Sequence, residues 1–310
     1  IKEKIMQEFV MLVGPSGCGK STWAKKFNEN HDNQYIIHSS DAIRGELWGD
    51  ENDQQNPAKV FEVLHHRVRE SLQQGDNVIY DATNLNAKRR KNYLKQLKQQ
   101  MAADGIEVEY NVMLVVADFE QCCRNNYARD REVSREVVHR HFLQIQIPFH
   151  NEGWDNVFFI RNSHPISWGD VLFMLDVPHD NEHHPNDVLE HSLKVAAAMG
   201  EPFSFGWKVG ILHDLGKPMT KVWNKANGSS DGQAHYYNHQ NVGAYLSFLV
   251  KGEKEKIEDT EVYVRAMIIQ YHMEPWLRKG EALEKFYEGL NNPGLVFFIK
   301  KLNKADSDWA

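Results

Sequence analysis

Along the first half of the chain, short apolar runs alternate with longer stretches in which apolar residues recur at helical spacing. Residues 9–13, 35–38, 77–80, 108–116 and 157–160 are rich in β-branched, aromatic and aliphatic side chains and have strand lengths. Between them, residues 21–28, 58–73, 87–102, 120–129 and 136–145 read as helices. Such alternation predicts a parallel sheet covered by helices on both faces. After residue 160 the pattern changes. Pro165, Pro178 and Pro185 punctuate a polar stretch that includes His179-Asp180-Asn181-Glu182-His183-His184. Helical patterns then follow over 188–199, 207–215, 239–250, 260–271 and 296–307, with 224–235 as a mobile turn. The expected organisation is an α/β domain over 1–160, a linker over 161–177 and an all-α domain over 178–310.

In open parallel sheets, ligands collect at the carboxyl ends of the strands. Three polar segments follow strands here and should converge on one crevice. Gly14-Pro15-Ser16-Gly17-Cys18-Gly19-Lys20-Ser21 comes directly after the run 9–13 and is a complete G-x-x-x-x-G-K-S phosphate-binding loop. Its glycines let backbone N–H groups turn inward, and with the helix that opens through Thr22 they cradle a β-phosphate. Lys20 reaches the β- and γ-phosphates, and the Ser21 hydroxyl is a ligand for Mg²⁺. The loop predicts binding of ATP or another nucleoside triphosphate. Ser39-Ser40-Asp41 and Asp81-Ala82-Thr83-Asn84 are the other two segments. Asp41 is a candidate base for an acceptor hydroxyl and also a candidate helix cap. Arg44, one turn on, faces the same side.

The run Ser39-Ser40-Asp41-Ala42-Ile43-Arg44, then Asp81-Ala82-Thr83-Asn84-Leu85-Asn86 with Lys88-Arg89-Arg90, resembles the phage-type polynucleotide 5′-hydroxyl kinases. The resemblance covers most of residues 8–147. It implies that Asp41 is the general base, that Arg44 holds the phosphate beside the acceptor nucleoside, and that Asp81 steadies Arg44. It also implies a lid whose arginines meet the donor phosphates: Arg124 together with Arg129 or Arg131. P-loop kinases of small molecules share the phosphate loop and the Asp-x-Thr-Asn element.

The second half strings together His191, His213-Asp214, His239, His272 and Asp306 in apolar, helix-like surroundings. Neutral imidazole suits first-row transition metals, and bridging carboxylates suit paired ions. Two divalent ions roughly 3.5–4 Å apart can clamp a phosphate and supply a nucleophile near neutral pH. The segments 187–192, 213–218, 235–244 and 305–306 resemble the HD phosphohydrolase superfamily, above all the HD domains attached to tRNA nucleotidyltransferases. That resemblance implies that His191, His213, Asp214 and Asp306 hold one metal, with Asp214 bridging to a second held by His239 and His272. Manganese, nickel, cobalt, iron and zinc all suit these ligands. Lys217 is a candidate to neutralise the phosphate, or else a helix-end cation. His235 is a possible substitute for His239, and His183-His184 are read as loop residues.

Composition sets the outer limits. A chain of 310 residues has room for two domains. A net charge of −7 argues against broad, non-specific adhesion to nucleic acid, leaving room for a short basic channel. Lys88, Arg89, Arg90, Lys91, Lys95 and Lys98 form a basic cluster expected on a solvated helix face. Three cysteines, Cys18 and the adjacent Cys122 and Cys123, offer neither a disulfide framework nor a thiolate zinc site. No apolar run approaches the roughly 20 residues that span a bilayer, and Ile1-Lys2-Glu3-Lys4 does not open a signal peptide. A cytoplasmic setting is the expectation. Together the two halves look like a bifunctional enzyme that heals RNA or DNA ends ahead of a polynucleotide ligase. Two other readings stand beside it: a small-molecule nucleoside or nucleotide kinase fused to a nucleotidase, and an ATP-sensing module gating an HD phosphohydrolase. Trp48 and Trp154 are candidate base-stacking residues, with core packing the alternative role.

Overall fold

A computed structural model describes residues 6–51, 56–128, 133–182, 187–251 and 259–309. The chain divides into two compact units: Ile1–His141 with Pro148–Asn162, and Phe142–Ile147 with Ser163–Ala310.

The first unit runs β1 (Gln7–Val13), α1 (Lys20–Asn30), β2 (Tyr35–Ser39), α2 (Ser40–Trp48), α3 (Pro57–Gln74), β3 (Asn77–Asp81), α4 (Ala87–Ala103), β4 (Val108–Val116), α5 (Phe119–Tyr127), the first part of α6 (Arg135–Gln144) and β5 (Asn156–Arg161). The strands order β2-β3-β1-β4-β5, and every pairing is parallel. This is a P-loop kinase-like α/β fold. β1 sits centrally, so residues Phe9 to Val13 are buried on both faces. That is why they read as one continuous apolar run rather than an alternation. Burying each such side chain contributes about 1.5–3 kcal/mol relative to exposure. The chain leaves β1 for β2 and β3 on one side, then for β4 and β5 on the other. The crevice at this reversal lies beyond the carboxyl end of β1, where the phosphate loop begins.

Local signals place the helices. Asn56 caps α3 by accepting from the Lys59 N–H, with Pro57 in the first turn and Gly75 closing it at φ 98°. Asn86 caps α4 in the same way through Arg89 N–H. One residue of the basic cluster does not lie on a solvated face. Arg90 is 2% exposed and forms a bidentate pair with Glu152, Nε to Oε2 at 2.9 Å and Nη2 to Oε1 at 2.5 Å. Trp154 is also buried and donates its indole N–H to Glu152 at 3.1 Å, so it packs and is not open to a base.

The second unit adds α7 (Trp168–Leu175), α8 (Val188–Met199), α9 (Phe205–Leu212), α10 (Lys217–Thr220), β6 (Lys221–Asn224), β7 (Ser230–Tyr236), α11 (His239–Ser247), α12 (Asp259–Tyr271), α13 (Glu274–Leu277), α14 (Glu281–Leu290) and α15 (Pro293–Asp308). Val195, Val209, Ile268, Ile299 and Leu302 centre its core, packing α8, α9, α12 and α15 together. Gly216 allows the turn after α9 to meet α11. A Cβ there would stand 2.1 Å from the His239 carbonyl oxygen.

Three expectations need correcting. The unit is helical but not all-α, because β6 and β7 form an antiparallel hairpin pairing Lys221 with Tyr236 and Val222 with His235. Residues 224–235, expected as a turn, supply most of its second strand. The stretch 161–177, expected as a linker, carries α7 behind a Ser167/Asp170 capping box, and Ile166 bridges to Val250. Among the described residues, no helix is long and apolar enough to cross a membrane.

Candidate functional site

The phosphate loop leaves β1 with Gly14, whose N–H donates to Thr83 O at 3.0 Å, tying it to the segment after β3. Gly17 and Gly19 hold φ of 81° and 102°. A Cβ on Gly17 would fall 2.1 Å from Cys122 O and one on Gly19 2.1 Å from the Asn162 amide nitrogen, so only glycine fits either position. Asn125 and Asn162 donate to the carbonyls of Gly17 and Cys18 at 2.7 and 2.8 Å. The Ser16 N–H donates to His141 Nδ1 at 3.3 Å. The two amides hold loop carbonyls and His141 holds a loop N–H, so all three brace the cradle, and sequence reasoning did not single them out. Cys18 is buried, and burial pushes its thiol pKa up, so it serves as a small apolar filler.

Lys20 is buried at the start of α1 and donates to Gly14 O and Pro15 O at 2.9 and 2.8 Å. Ser21 Oγ donates to Asp81 Oδ2 at 2.6 Å. Asp81 therefore stands at the donor hydroxyl, at the end of the strand beside β1. Thr22 is exposed in the first turn of α1. Asp41 lies in the first turn of α2, beyond β2, and its N–H is capped by Ser39 Oγ at 3.3 Å. Arg44 Nη1 pairs with Asp41 Oδ1 at 2.5 Å, with the Asp41 side chain 41% exposed and that of Arg44 11%. Because Ser39 and Asp81 are register partners, Asp41 and Asp81 project from neighbouring strand ends. On α5, Arg124 donates to Gln121 at 3.0 Å, one residue before the loop-bracing Asn125. Arg129 and Arg131 lie outside the described residues, as do His183 and His184.

In the second unit, the described residues include two groups able to hold an ion: His191, His213 and Asp306, and Asp214, His239 and His272. The two groups are joined. His191 Nε2 lies 3.0 Å from Asp306 Oδ1 and 3.6 Å from Asp214 Oδ2. His213 Nε2 lies 3.2 Å from Asp214 Oδ2, and His239 Nε2 lies 3.5 Å from Asp214 Oδ1. His239 and His272 meet Nε2 to Nε2 at 3.4 Å. Every imidazole is anchored through its other nitrogen to a main-chain carbonyl. The Nδ1 partners are Trp309 O for His191 at 3.2 Å, Gly210 O for His213 at 2.7 Å, Tyr236 O for His239 at 2.8 Å and Ile269 O for His272 at 2.7 Å. A carbonyl there selects the Nδ1–H tautomer and leaves Nε2 as the lone-pair donor, as metal-ligating histidines require.

Asp214 carries both groups, one oxygen towards each. Lys217 Nζ lies 2.7 Å from its Oδ2, yet neither that approach nor the His213 contact has hydrogen-bond geometry at this oxygen. Asp214 Oδ2 and His213 Nε2 are thus fully buried with no partner in hydrogen-bond geometry, the carboxylate being met only by ion pairing with Lys217 and His213. Such atoms are costly to leave without a partner, and a cation bound there would satisfy both. The donor set fits paired divalent ions. Burial works against the His213 imidazolium, but the Asp214 and Asp306 carboxylates outweigh it and carry its pKa up to about 10. Burial, with His239 and His213 nearby, lowers His272 to about 3. Burial opposes the Asp214 carboxylate too, but His213 and Lys217 hold it well below its ordinary range.

His179, taken from sequence as one of a polar loop cluster, is 1% exposed and its Nε2 lies 3.0 Å from Lys217 Nζ. His235 sits instead on the hairpin, 3.1 Å from Asp231 Oδ1.

Residues 9–149 match the family model described as an AAA domain. That match lies almost wholly within the first unit. Solved structures similar to the chain include the Pnkp1/Rnl/Hen1 RNA repair complex, at 20% identity over 45% of this chain and 44% of that one, TM-score 0.36. A fungal RNA kinase is similar at 16% identity over 52% and 39%, TM-score 0.39. A gluconokinase from Sinorhizobium meliloti 1021 is similar at 13% identity over 52% and 85%, TM-score 0.35. The chain spans less than half the length of the first two.

Proposed function

We propose that the chain heals nucleic-acid ends, phosphorylating 5′-hydroxyls at the first unit's phosphate loop and removing 3′- or 2′-phosphates or 2′,3′-cyclic phosphates at the second unit's metal cluster. A phosphate loop alone suits many NTP-using enzymes. The observation that carries the proposal is the buried cluster in which four Nε2 atoms and two carboxylates converge, because it adds a second phosphate chemistry to the first.

At the loop, Lys20 would exchange its bonds to Gly14 O and Pro15 O for the phosphates of ATP, and Ser21 with Asp81 would hold Mg²⁺. Asp41 takes the proton of the acceptor hydroxyl as its oxygen bonds the γ-phosphorus and the bridge to the β-phosphate breaks. Arg44 orients Asp41 and meets the acceptor's neighbouring phosphate. Arg124 adds positive charge from the lid. In the second unit, two divalent ions held by His191, His213, Asp214, Asp306, His239 and His272 would supply Lewis acidity and a nucleophile near neutral pH. Lys217, fixed between Asp214 and His179, offsets charge on the departing phosphate. The products, a 5′-phosphate and a free 3′-hydroxyl, are the ends a polynucleotide ligase joins.

The test is incubation with γ-labelled ATP, Mg²⁺ and a 5′-hydroxyl oligonucleotide, and separately with a 3′-phosphorylated oligonucleotide and Mn²⁺, Ni²⁺ or Co²⁺. Label on the 5′ end and release of inorganic phosphate are expected. Transfer to mononucleosides alone would replace the polynucleotide reading with the small-molecule one. ATP binding without transfer to any acceptor would leave a regulatory loop.

A further inference from the structure

The hairpin of β6 and β7 grows directly out of α10, the helix that opens with Lys217. Its rings are turned outward: Trp223 is 51% exposed and Tyr237 43%. A two-stranded hairpin has no core of its own in which to bury such rings, which leaves the Trp223 face open to contact. Lys221 and Trp223 share one face of β6, with Lys221 Nζ 5.6 Å from the Trp223 ring centre. Lys221 stands opposite Tyr236, and the Tyr236 ring centre is 5.5 Å from Lys217 Nζ. The Tyr236 hydroxyl also donates to His179 O, on the residue that holds Lys217. A row of alternating cations and rings therefore leads from the metal ligands out to Trp223.

The hairpin is also braced. His235 and Tyr237 stack with ring centres 5.7 Å apart and planes 10° off parallel, and the Tyr237 hydroxyl accepts from the Ala226 N–H at 2.8 Å. Lys221 is balanced by Asp180 at 2.5 Å and Lys225 by Asp231 at 3.1 Å. The surface is thus not a broad cationic patch of the kind that holds a duplex through many phosphates. It suits a single strand, whose bases stack on rings while few phosphates meet ammonium groups.

We propose that this hairpin is the base-reading arm of the metal site: a nucleobase near the phosphorylated end of a single strand stacks on Trp223 while its phosphate reaches Lys217. The placement of the phosphate rests on the metal-site function proposed above, whereas the stacking does not. Trp223→Ala and Trp223→Phe are to be compared on a 3′-phosphorylated oligonucleotide and on glycerol phosphate, with Mn²⁺. One stacked base is worth roughly 5- to 150-fold in binding. Trp223→Ala should raise KM for the oligonucleotide by at least about fivefold, leave kcat and glycerol phosphate turnover unchanged, and be largely rescued by Trp223→Phe. Titration of the oligonucleotide without metal should quench tryptophan emission, and Trp223→Phe should remove part of that quench. An oligonucleotide KM within twofold of the parent, or an equal rise for glycerol phosphate, overturns the arm. If no metal supports hydrolysis but the Trp223 quench persists, the metal-site function falls and the arm stands. If the quench is also missing, the arm falls.

Discussion

Removing the carboxylate of Glu152 should cost the first unit more stability than any surface change, because it strands a buried cation. The Arg90 and Glu152 side chains are 1% and 4% exposed, and two parallel N–H···O bonds join them. Arg90 also donates from Nη1 to Asn84 O at 2.7 Å. In Glu152→Ala the guanidinium stays charged and loses both charge-assisted bonds, each worth about 1.5–3 kcal/mol. Truncating one partner of a buried pair costs about 3–5 kcal/mol for that reason. At about 2–4 °C per kcal/mol for a unit of this size, the first unit's melting transition should fall by roughly 6–20 °C. Function should follow, because Asn84 donates to Leu12 O at 2.7 Å and Thr83 O accepts from Gly14 N–H, so the pair underpins the phosphate loop. The assay is thermal unfolding by circular dichroism, with the first unit's transition identified as the one ATP shifts upward. The double variant Arg90→Met, Glu152→Leu removes both charges and should recover most of the loss. A Glu152→Ala cost below about 1 kcal/mol, or a double variant as unstable as the two singles summed, would refute the reasoning.

Lys20→Ala should abolish ATP-dependent transfer and ATP binding together, whereas Asp41→Asn should abolish transfer while leaving ATP affinity within a few-fold by equilibrium titration. His213→Ala and Asp214→Ala should each empty the purified protein of transition metal by elemental analysis and end phosphohydrolysis, with 5′-end labelling intact; metal retained at the parent level would contradict the ligand assignment. Burial lowers the His65 pKa from 6.5 to about 4, so the unfolded chain binds more protons between those values. Stability of the first unit should therefore be full above pH 6.5 and fall as pH drops towards 4, and His65→Phe, which keeps the ring stack on Tyr93, should flatten that slope in urea titrations.

Legibility in the sequence tracked how one-sided each element's environment is. The central strands are buried on both faces, so 9–13 and 112–116 stand out as unbroken apolar runs. Their polar ends do not, and the ladder runs on to Ser39 and Asp81 because register partners continue past the apolar residues. The hairpin went unread for the opposite reason: most of β6 and the first three residues of β7 are open to solvent, so no alternation marks them. Helix α14 was readable in principle, since Leu283, Phe286, Tyr287 and Leu290 share a helical face that packs on the second unit's core.

At the sites, the residue types carrying the chemistry were visible, but what aims them was not. A main-chain carbonyl has no letter of its own, so nothing in the sequence marks Gly210, Tyr236, Ile269 or Trp309 as the groups that orient the imidazoles. Asn125 and Asn162 are ordinary amides until the fold sets them on loop carbonyls. Charge balance in the metal cluster is likewise a property of the fold. Without ions, the Asp214 and Asp306 carboxylates are offset by the His213 imidazolium and the Lys217 ammonium, which leaves the buried cluster near neutral. Divalent ions would displace the His213 proton and turn the same residues into a net cationic pocket. A pocket of that sign draws in a phosphate only when loaded, so phosphate affinity of the second unit should depend on its metal content.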